Sequence, residues 1–318
     1  MRTPWFEALA ATTLNSSERP ALALLEKGGE PRAALVLAVD KGGIARALTA
    51  PYSSVFSVAA ASAADAKALG AGLAQLGFGA LTLDCLDEAD PLNAAFLAGL
   101  GHSGLLTARY RHFASWRERT GDFSSYWQRR PGPLRETVRR KGRRAQAQGA
   151  QFLCLAAPQE IGAGLAEYES LYRICGKVPE PHPAFMATMV RNLAAEGSVR
   201  LGLMRLGGQT VAAQIWLARA GRATIFKLAH RPDQAALSPG TLLTHWMLST
   251  LLPGDQIAYV DFGRGDDRYK RDWLCERAFR AGVIACNPAR FSGLRHIATD
   301  ILPTWTGRLF RRPSVPAP

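Results

Sequence analysis

The spacing of hydrophobic and polar positions changes period many times along this chain, and each change predicts an element. Residues 33–39 form a continuous apolar run and predict a buried strand. Residues 63–76 follow helical spacing up to Gly77, and 80–85 predict a second strand. Asp90-Pro91 opens a helix that reaches Leu100, and 104–113 are extended. The pattern breaks near residues 115–132.

Beyond the break each element has its own turn signal. A basic helix spans about 133–148, and a short strand 151–156 follows. The next helix carries Ile161, Leu165, Tyr168 and Tyr172 on one face. After the Pro-rich segment Gly176-Lys-Val-Pro-Glu-Pro-His-Pro183, a helix shows Phe185, Met186, Met189, Val190 and Leu193 as a stripe ending at Gly197. Strands 199–206, 209–217 and 222–230, turning at Gly207-Gly208 and Ala220-Gly221, predict an antiparallel meander. A helix from Ser238-Pro239-Gly240-Thr241 to about Leu252, a strand 257–262, a helix 268–279 and an extended 283–286 complete the order. The expected class is α+β, with two lobes, each a mixed, mostly antiparallel sheet flanked by helices. The boundaries this predicts are an N-terminal lobe over 1–120, a second lobe over 121–290, and a C-terminal helix and basic tail over 291–318.

With 318 residues, 47% of them hydrophobic, the chain can bury a large core, and no apolar run approaches the ~20 residues of a membrane-spanning helix. Residues 1–14 lack the parts of a secretory signal, so the expected location is the cytoplasm. The five cysteines contain no C-x-x-C pair, and no metal site is expected. Charge adds something the hydrophobic pattern does not: 39 Lys+Arg against 26 Asp+Glu gives +13, which calls for an anionic partner. Arg135, Arg139, Arg140, Arg143 and Arg144 concentrate it on one helix, with spacings of one turn, and Arg308, Arg311 and Arg312 repeat the theme. Such a face suits an anionic membrane surface. No aromatic residues interleave with the cations, which argues against specific nucleic-acid recognition.

Candidate chemistry gathers in the second half. Asp261-Phe-Gly-Arg-Gly-Asp-Asp-Arg-Tyr-Lys270 crowds six charged residues and two glycines at a strand end; a solvated Gly-Asp turn explains it about equally well. Ser238-Pro239-Gly240-Thr241 opens a helix directly after a strand, where unpaired N–H groups and the helix dipole attract a phosphate, although an ordinary N-cap has the same form. Gln214 and Lys227 sit among apolar neighbours in adjacent strands and need polar partners. His230, at a strand end, and His182, near Glu180, are candidates to accept a proton near neutral pH. Serine-hydrolase, P-loop, zinc-protease and dinucleotide-binding motifs are absent.

The element order from residue 151 onward is that of the GNAT acyltransferase fold. Lys177-Val-Pro-Glu-Pro-His-Pro-Ala-Phe185, Leu206-Gly-Gly-Gln-Thr-Val-Ala-Ala-Gln-Ile-Trp216, Ile225-Phe-Lys-Leu-Ala-His230, Ser238-Pro-Gly-Thr-Leu-Leu243 and Asp261 to Lys270 with Trp273 together resemble the BioF2-like or CelD-type branch of that family, and more distantly the Fem-type aminoacyltransferases. The resemblance covers roughly residues 135–287. It implies a degenerate N-terminal GNAT-like lobe, acetyl-CoA or a longer acyl-CoA as donor, no metal, and N-acylation of a lipid amine or a cell-envelope sugar precursor by direct attack. By the same resemblance Ser238, Pro239, Gly240 and Thr241 would hold the pyrophosphate, and the backbone at Leu228 would meet the developing oxyanion. Asp261 or His230 would take the ammonium proton, and Tyr269 or Lys270 would return one to the thiolate. Lys177, Glu180, His182, Gln214, Trp216, Lys227, Arg264, Asp267 and Trp273 would contact substrate. The usual GNAT phosphate loop, Q/R-x-x-G-x-G/A, is missing. The alternatives are aminoacyl transfer from charged tRNA and a non-catalytic scaffold that keeps the fold.

Overall fold

The computed structural model describes residues 3–306. Along the chain the elements are α1 (Thr3–Thr12), β1 (Glu18–Lys27), β2 (Glu30–Asp40), β3 (Ile44–Ala47), β4 (Ala59–Ala60), α2 (Ala63–Gly72), β5 (Ala80–Leu86), α3 (Pro91–Leu100), β6 (Leu106–Arg119), α4 (Phe123–Gln128) and α5 (Gly132–Ala147). They continue with β7 (Gln151–Leu155), α6 (Pro158–Ile174), α7 (Pro183–Ala195), β8 (Val199–Leu206), β9 (Gln209–Arg219), β10 (Arg222–His230), α8 (Pro239–Gly254), β11 (Tyr259–Arg264), α9 (Lys270–Trp273), β12 (Glu276–Cys286), α10 (Phe291–His296) and α11 (Leu302–Trp305). The described residues form two compact units, 3–114 with 279–306 and 115–278. Strands β6 and β12 each contribute residues to both.

In the first unit β1, β2 and β3 are antiparallel neighbours, β3 pairs in parallel with β5, and β5 is antiparallel to β12. Its core joins Leu35, Leu37, Leu81, Leu83, Phe96 and Val283. Two helix starts follow their sequence signals: Ser62 accepts from the Asp65 N–H to cap α2, and Asp90 accepts from Leu92 to cap α3, with Pro91 in the first turn. Gly77, at φ 73°, ends the segment that follows α2, in the left-handed conformation that favours glycine.

In the second unit the order is β6-β11-β10-β9-β8-β7, all antiparallel except β10 with β11. The meander predicted for 199–230 is present, and Ile161, Leu165, Tyr168 and Tyr172 form the buried face of α6. Helix α8 crosses the sheet and buries Leu242, Leu243, Met247, Leu248 and Leu251 against Trp216 and Val260.

The helix expected over 268–279 is corrected to four helical residues, Lys270–Trp273, and then a strand. From Ala278 to Cys286 most side chains are buried, and Ala281 to Cys286 pair with Leu86 to Ala80, so sheet pairing overrides local helix preference. That pairing also puts Phe279–Cys286 in the first unit, although sequence order alone grouped them with the second lobe. The C-terminal helix begins at Phe291, and Arg308, Arg311 and Arg312 lie outside the described residues.

Candidate active site

Strands β10 and β11 pair over only three positions, Arg222 with Tyr259, Ala223 with Val260 and Thr224 with Asp261. Beyond Thr224 they part. The β9 register shifts between Ile225 and Lys227, so Phe226 is an extra residue that bends β10 away from its neighbour. The chain leaving His230 turns through 232–237 and enters α8, whose N-terminus therefore lies beside the opening. A cavity of about 300 Å³ lies beside the end of β10 and the start of α8, lined by Leu228, His230, Ser238, Pro239, Gly240, Thr241, Tyr269 and Trp273, with Leu134, Ala235, Thr244 and Asp272.

The start of α8 is electrostatically open. Its first turn holds no acid, Ser238 makes no side-chain cap, and Pro239 occupies the first helical position, where a missing N–H costs nothing. Ser238 has φ 52°, and its hydroxyl instead accepts from Lys141 Nζ of α5 at 2.5 Å. A Cβ on Gly240 would meet His230 Cδ2 at 3.4 Å, so any larger side chain there would reach toward the histidine ring. Free helix N–H groups, a nearby ammonium and a glycine floor together suit a phosphate or pyrophosphate.

A second group of charges lies along β10. Lys227 Nζ meets Glu180 Oε1 at 2.8 Å with both side chains nearly buried, and burial pulls the Lys227 pKa down although Glu180 opposes the shift. Lys177 Nζ donates to Leu228 O at 2.9 Å. These two lysines fasten the 176–182 segment to the strand. A third group closes the end of β11: Lys270 Nζ donates to Arg264 O at 2.6 Å and meets Asp267 Oδ2 at 3.2 Å, and burial lowers its pKa. Asp261 is buried and accepts from the Gly263 N–H at 2.6 Å, with Gly263 at φ 63°. Much of the 261–270 crowding thus builds its own turn.

The remaining candidates are placed as follows. Gln214 and Trp216 are buried beneath α8: Trp216 Nε1 donates to Gln214 Oε1, and Gln214 Nε2 donates to Gly240 O at 3.1 Å and Thr244 Oγ1 at 2.7 Å. They hold the helix start and do not line the cavity. His182 stands at the N-cap position of α7, half-buried. Arginines 135, 139, 140, 143 and 144 are all exposed, with Arg139 paired to Glu136. Among the described residues no cluster suits a metal ion, and no helix is long and apolar enough to cross a membrane.

Lys141, Leu134 and Asp272 belong to the site and are not among the residues that motif reading selects. His245 is another. Its ring stands edge-on to Trp127 at 4.4 Å and Phe123 at 5.4 Å, and desolvation lowers its pKa from 6.5 to about 4. A depressed histidine pKa means the unfolded chain binds more protons than the folded one between those values. Stability from this group is full above about pH 6.5 and is lost as the pH falls toward about 4. The expected result is a Tm that drops less over that interval in His245→Gln than in the parent, measured by calorimetry at several pH values; equal slopes would remove His245 as the cause.

The first unit contains a similar parting, already filled. Strands β3 and β5 pair in parallel over Ile44 with Ala80, Ala45 with Leu81 and Arg46 with Thr82, and then diverge. Its own chain closes the gap: Phe56 bridges Leu86 and donates its N–H to Cys85 O, Val58 N–H donates to Asn93 Oδ1, and Tyr52, Ser53, Phe56 and Val58 are buried.

Residues 133–271 match the family described as acetyltransferase (GNAT) domain. No curated protein matches the sequence. Among solved structures, FemX is similar at 9% identity and a TM-score of 0.64, covering 90% of this chain and 91% of that one. The C-terminal domain of a putative lysylphosphatidylglycerol synthetase from Agrobacterium fabrum matches at 10% identity and 0.59, covering 94% and 95%. L-PGS from Bacillus licheniformis matches at 13% and 0.57, covering 98% of each chain. These likenesses extend over both units.

Proposed function

We propose that this chain, which carries a GNAT acetyltransferase domain at residues 133–271, is an N-acyltransferase whose acyl-CoA donor binds in the cavity beside α8. The observation that carries this reading is the cavity beside the end of β10, where β10 no longer pairs with β11, that meets an uncapped helix N-terminus. The pyrophosphate lies against the first turn of α8 near Lys141, and the thioester carbonyl points to the backbone at Leu228. His230 accepts a proton from the acceptor ammonium, and the neutral amine attacks the carbonyl carbon. The C–S bond then breaks while the Tyr269 hydroxyl donates a proton to the departing thiolate, and the second proton of the attacking nitrogen passes to the resulting phenolate. Lys177, Glu180 and Lys227 frame the acceptor side, with an amine on a lipid or a cell-envelope sugar precursor as the substrate class. The exposed arginines of α5 would bring the protein to an anionic inner-membrane surface.

Calorimetric titration with CoA, acetyl-CoA and a long-chain acyl-CoA below its micelle threshold tests the donor. Saturable binding of one equivalent per chain is expected, because the first unit's gap is closed. No binding to any of the three overturns the reading, and two equivalents overturn the closed gap.

Aminoacyl transfer from charged tRNA is the second reading, favoured by the five exposed arginines on α5 and the missing phosphate loop. Binding of aminoacyl-tRNA that survives moderate salt, together with no affinity for CoA, would put this reading first.

A further inference from the structure

Residues 291–305 form one helical stretch through α10, a π-helical turn over Ile297–Ile301 and α11. One side of it is anchored to the first unit. Ile301 is buried with Ala80, Ala108, Ile284 and Cys286, with Ile297 packed beside them, and a Cβ on Gly293 would stand 2.0 Å from Asn287 O. Positions 293, 297 and 301 are thus the inner row. The outer row is also apolar: Phe291 is 87% exposed, Leu294 52%, Leu302 47% and Trp305 56%. Ala298 completes it, so the exposed apolar positions recur at intervals of three and four.

Four large exposed apolar side chains in one row exceed the scattered hydrophobics normal on a soluble surface. Leu106, 37% exposed, lies next to Thr107, whose carbonyl accepts from Trp305 Nε1 at 3.3 Å, and widens the patch. Charge decides what would cover it. Arg290, at the N-cap of the stretch, and Arg295 within it are exposed, whereas its one acid, Asp300, is paired with His296 at 2.6 Å. The sequence beyond adds Arg308, Arg311 and Arg312 and no acid. A second copy would bring another chain of net charge +13 against the same basic patch, which is electrostatically unfavourable. A nucleic acid would satisfy the arginines and leave the leucines in water. An anionic bilayer satisfies both: phenylalanine, leucine and tryptophan enter the interface while arginines meet headgroup phosphates.

We propose that the outer row Phe291, Leu294, Ala298, Leu302 and Trp305 is an interfacial docking face for an anionic lipid surface. It does not depend on which donor or acceptor the second unit uses.

The test is sedimentation of the full chain with vesicles of phosphatidylcholine alone, and of phosphatidylcholine and phosphatidylglycerol in equal parts. Binding to the anionic vesicles is expected, and a variant combining Phe291→Ser, Leu294→Ser, Leu302→Ser and Trp305→Ser should bind them on the order of tenfold or more weakly. The replaced side chains are exposed, so an unchanged melting curve is expected and checks that the variant is folded. A double Arg290→Gln and Arg295→Gln variant should retain binding that is weaker and less sensitive to salt. Equal binding by parent and quadruple variant overturns the proposal, as does absence of binding to anionic vesicles. Concentration-dependent dimerisation lost in the quadruple variant, with no vesicle binding, would also overturn it and assign the face to a second copy.

Discussion

Replacing His230 with alanine is expected to lower kcat/KM for acyl transfer by about two to four orders of magnitude, the range for removing a positioned proton acceptor. The family resemblance gives that role to Asp261 or His230, and their surroundings separate them. The Asp261 carboxylate is buried and holds the Gly263 N–H at 2.6 Å, so it serves the turn that ends β11. The His230 ring lines the cavity and stands 3.4 Å from where a Cβ on Gly240 would lie. Asp261→Asn keeps an acceptor for Gly263, so its kcat should change far less than that of His230→Ala. Donor affinity by calorimetry should stay close to the parent in Asp261→Asn, because Asp261 does not line the cavity, whereas His230→Ala is read on turnover at saturating donor, since the His230 ring lies against Gly240. If Asp261→Asn is the variant that loses turnover while His230→Ala retains it, the roles are reversed.

What sequence could reveal depended on whether a residue's partner was near it in the chain. The stop at Gly77, the helix opening at Asp90, the stripe of α6 and the turn at Gly207-Gly208 are fixed by neighbours within a few positions, and all were legible. The GNAT element order was legible for the same reason, since it is a sum of local periods. Only the end of strand β12, 283–286, was legible as extended; its start was not, because its pairing partner, β5, lies about two hundred positions earlier and local preference around 268–279 favours a helix. Within the site, the start of α8 stood out as a helix opening after a strand, whereas Lys141 was concealed in a run of like charges. Helical spacing could have found it: Leu134, Val138 and Ala145 form the inward row of α5, and Lys141 falls on that row. Arginines 140, 143 and 144 point away from it and are exposed. Gln214 was legible as a polar residue in an apolar strand. Its partners in α8, Gly240 and Thr244, lie about thirty positions on, so the sequence alone could not say that it braces a helix.

Glu118→Ala is expected to destabilise the second unit by about 3–5 kcal/mol, the usual cost of stranding a buried charge. Glu118 and Arg130 are nearly fully buried. The carboxylate accepts from Arg130 Nη1 and Nη2 at 2.9 and 2.8 Å, from Arg129 Nη2 at 3.2 Å and from the Cys275 N–H at 3.0 Å. Removing it leaves a guanidinium without its counter-charge, and a loss of about 10 °C in Tm follows for a unit of this size. The pair also bears on the cavity. Arg130 Nη1 donates to Trp273 O, which accepts from Tyr126 Oη at 2.7 Å as well, and the Arg130 guanidinium lies over the Tyr126 ring at 4.3 Å. Trp273 is part of the cavity wall, so Glu118→Gln, which keeps the shape and loses the charge, should weaken donor binding before it unfolds the protein. In the double variant Glu118→Ala with Arg130→Met the stranded charge is gone, and much of the lost stability should return while the weakened donor binding remains. Thermal melts and donor titrations of the three variants read these effects separately. A Glu118→Ala melt indistinguishable from the parent would show that Arg130 finds another counter-charge or reaches water, and the wall would then need a different support.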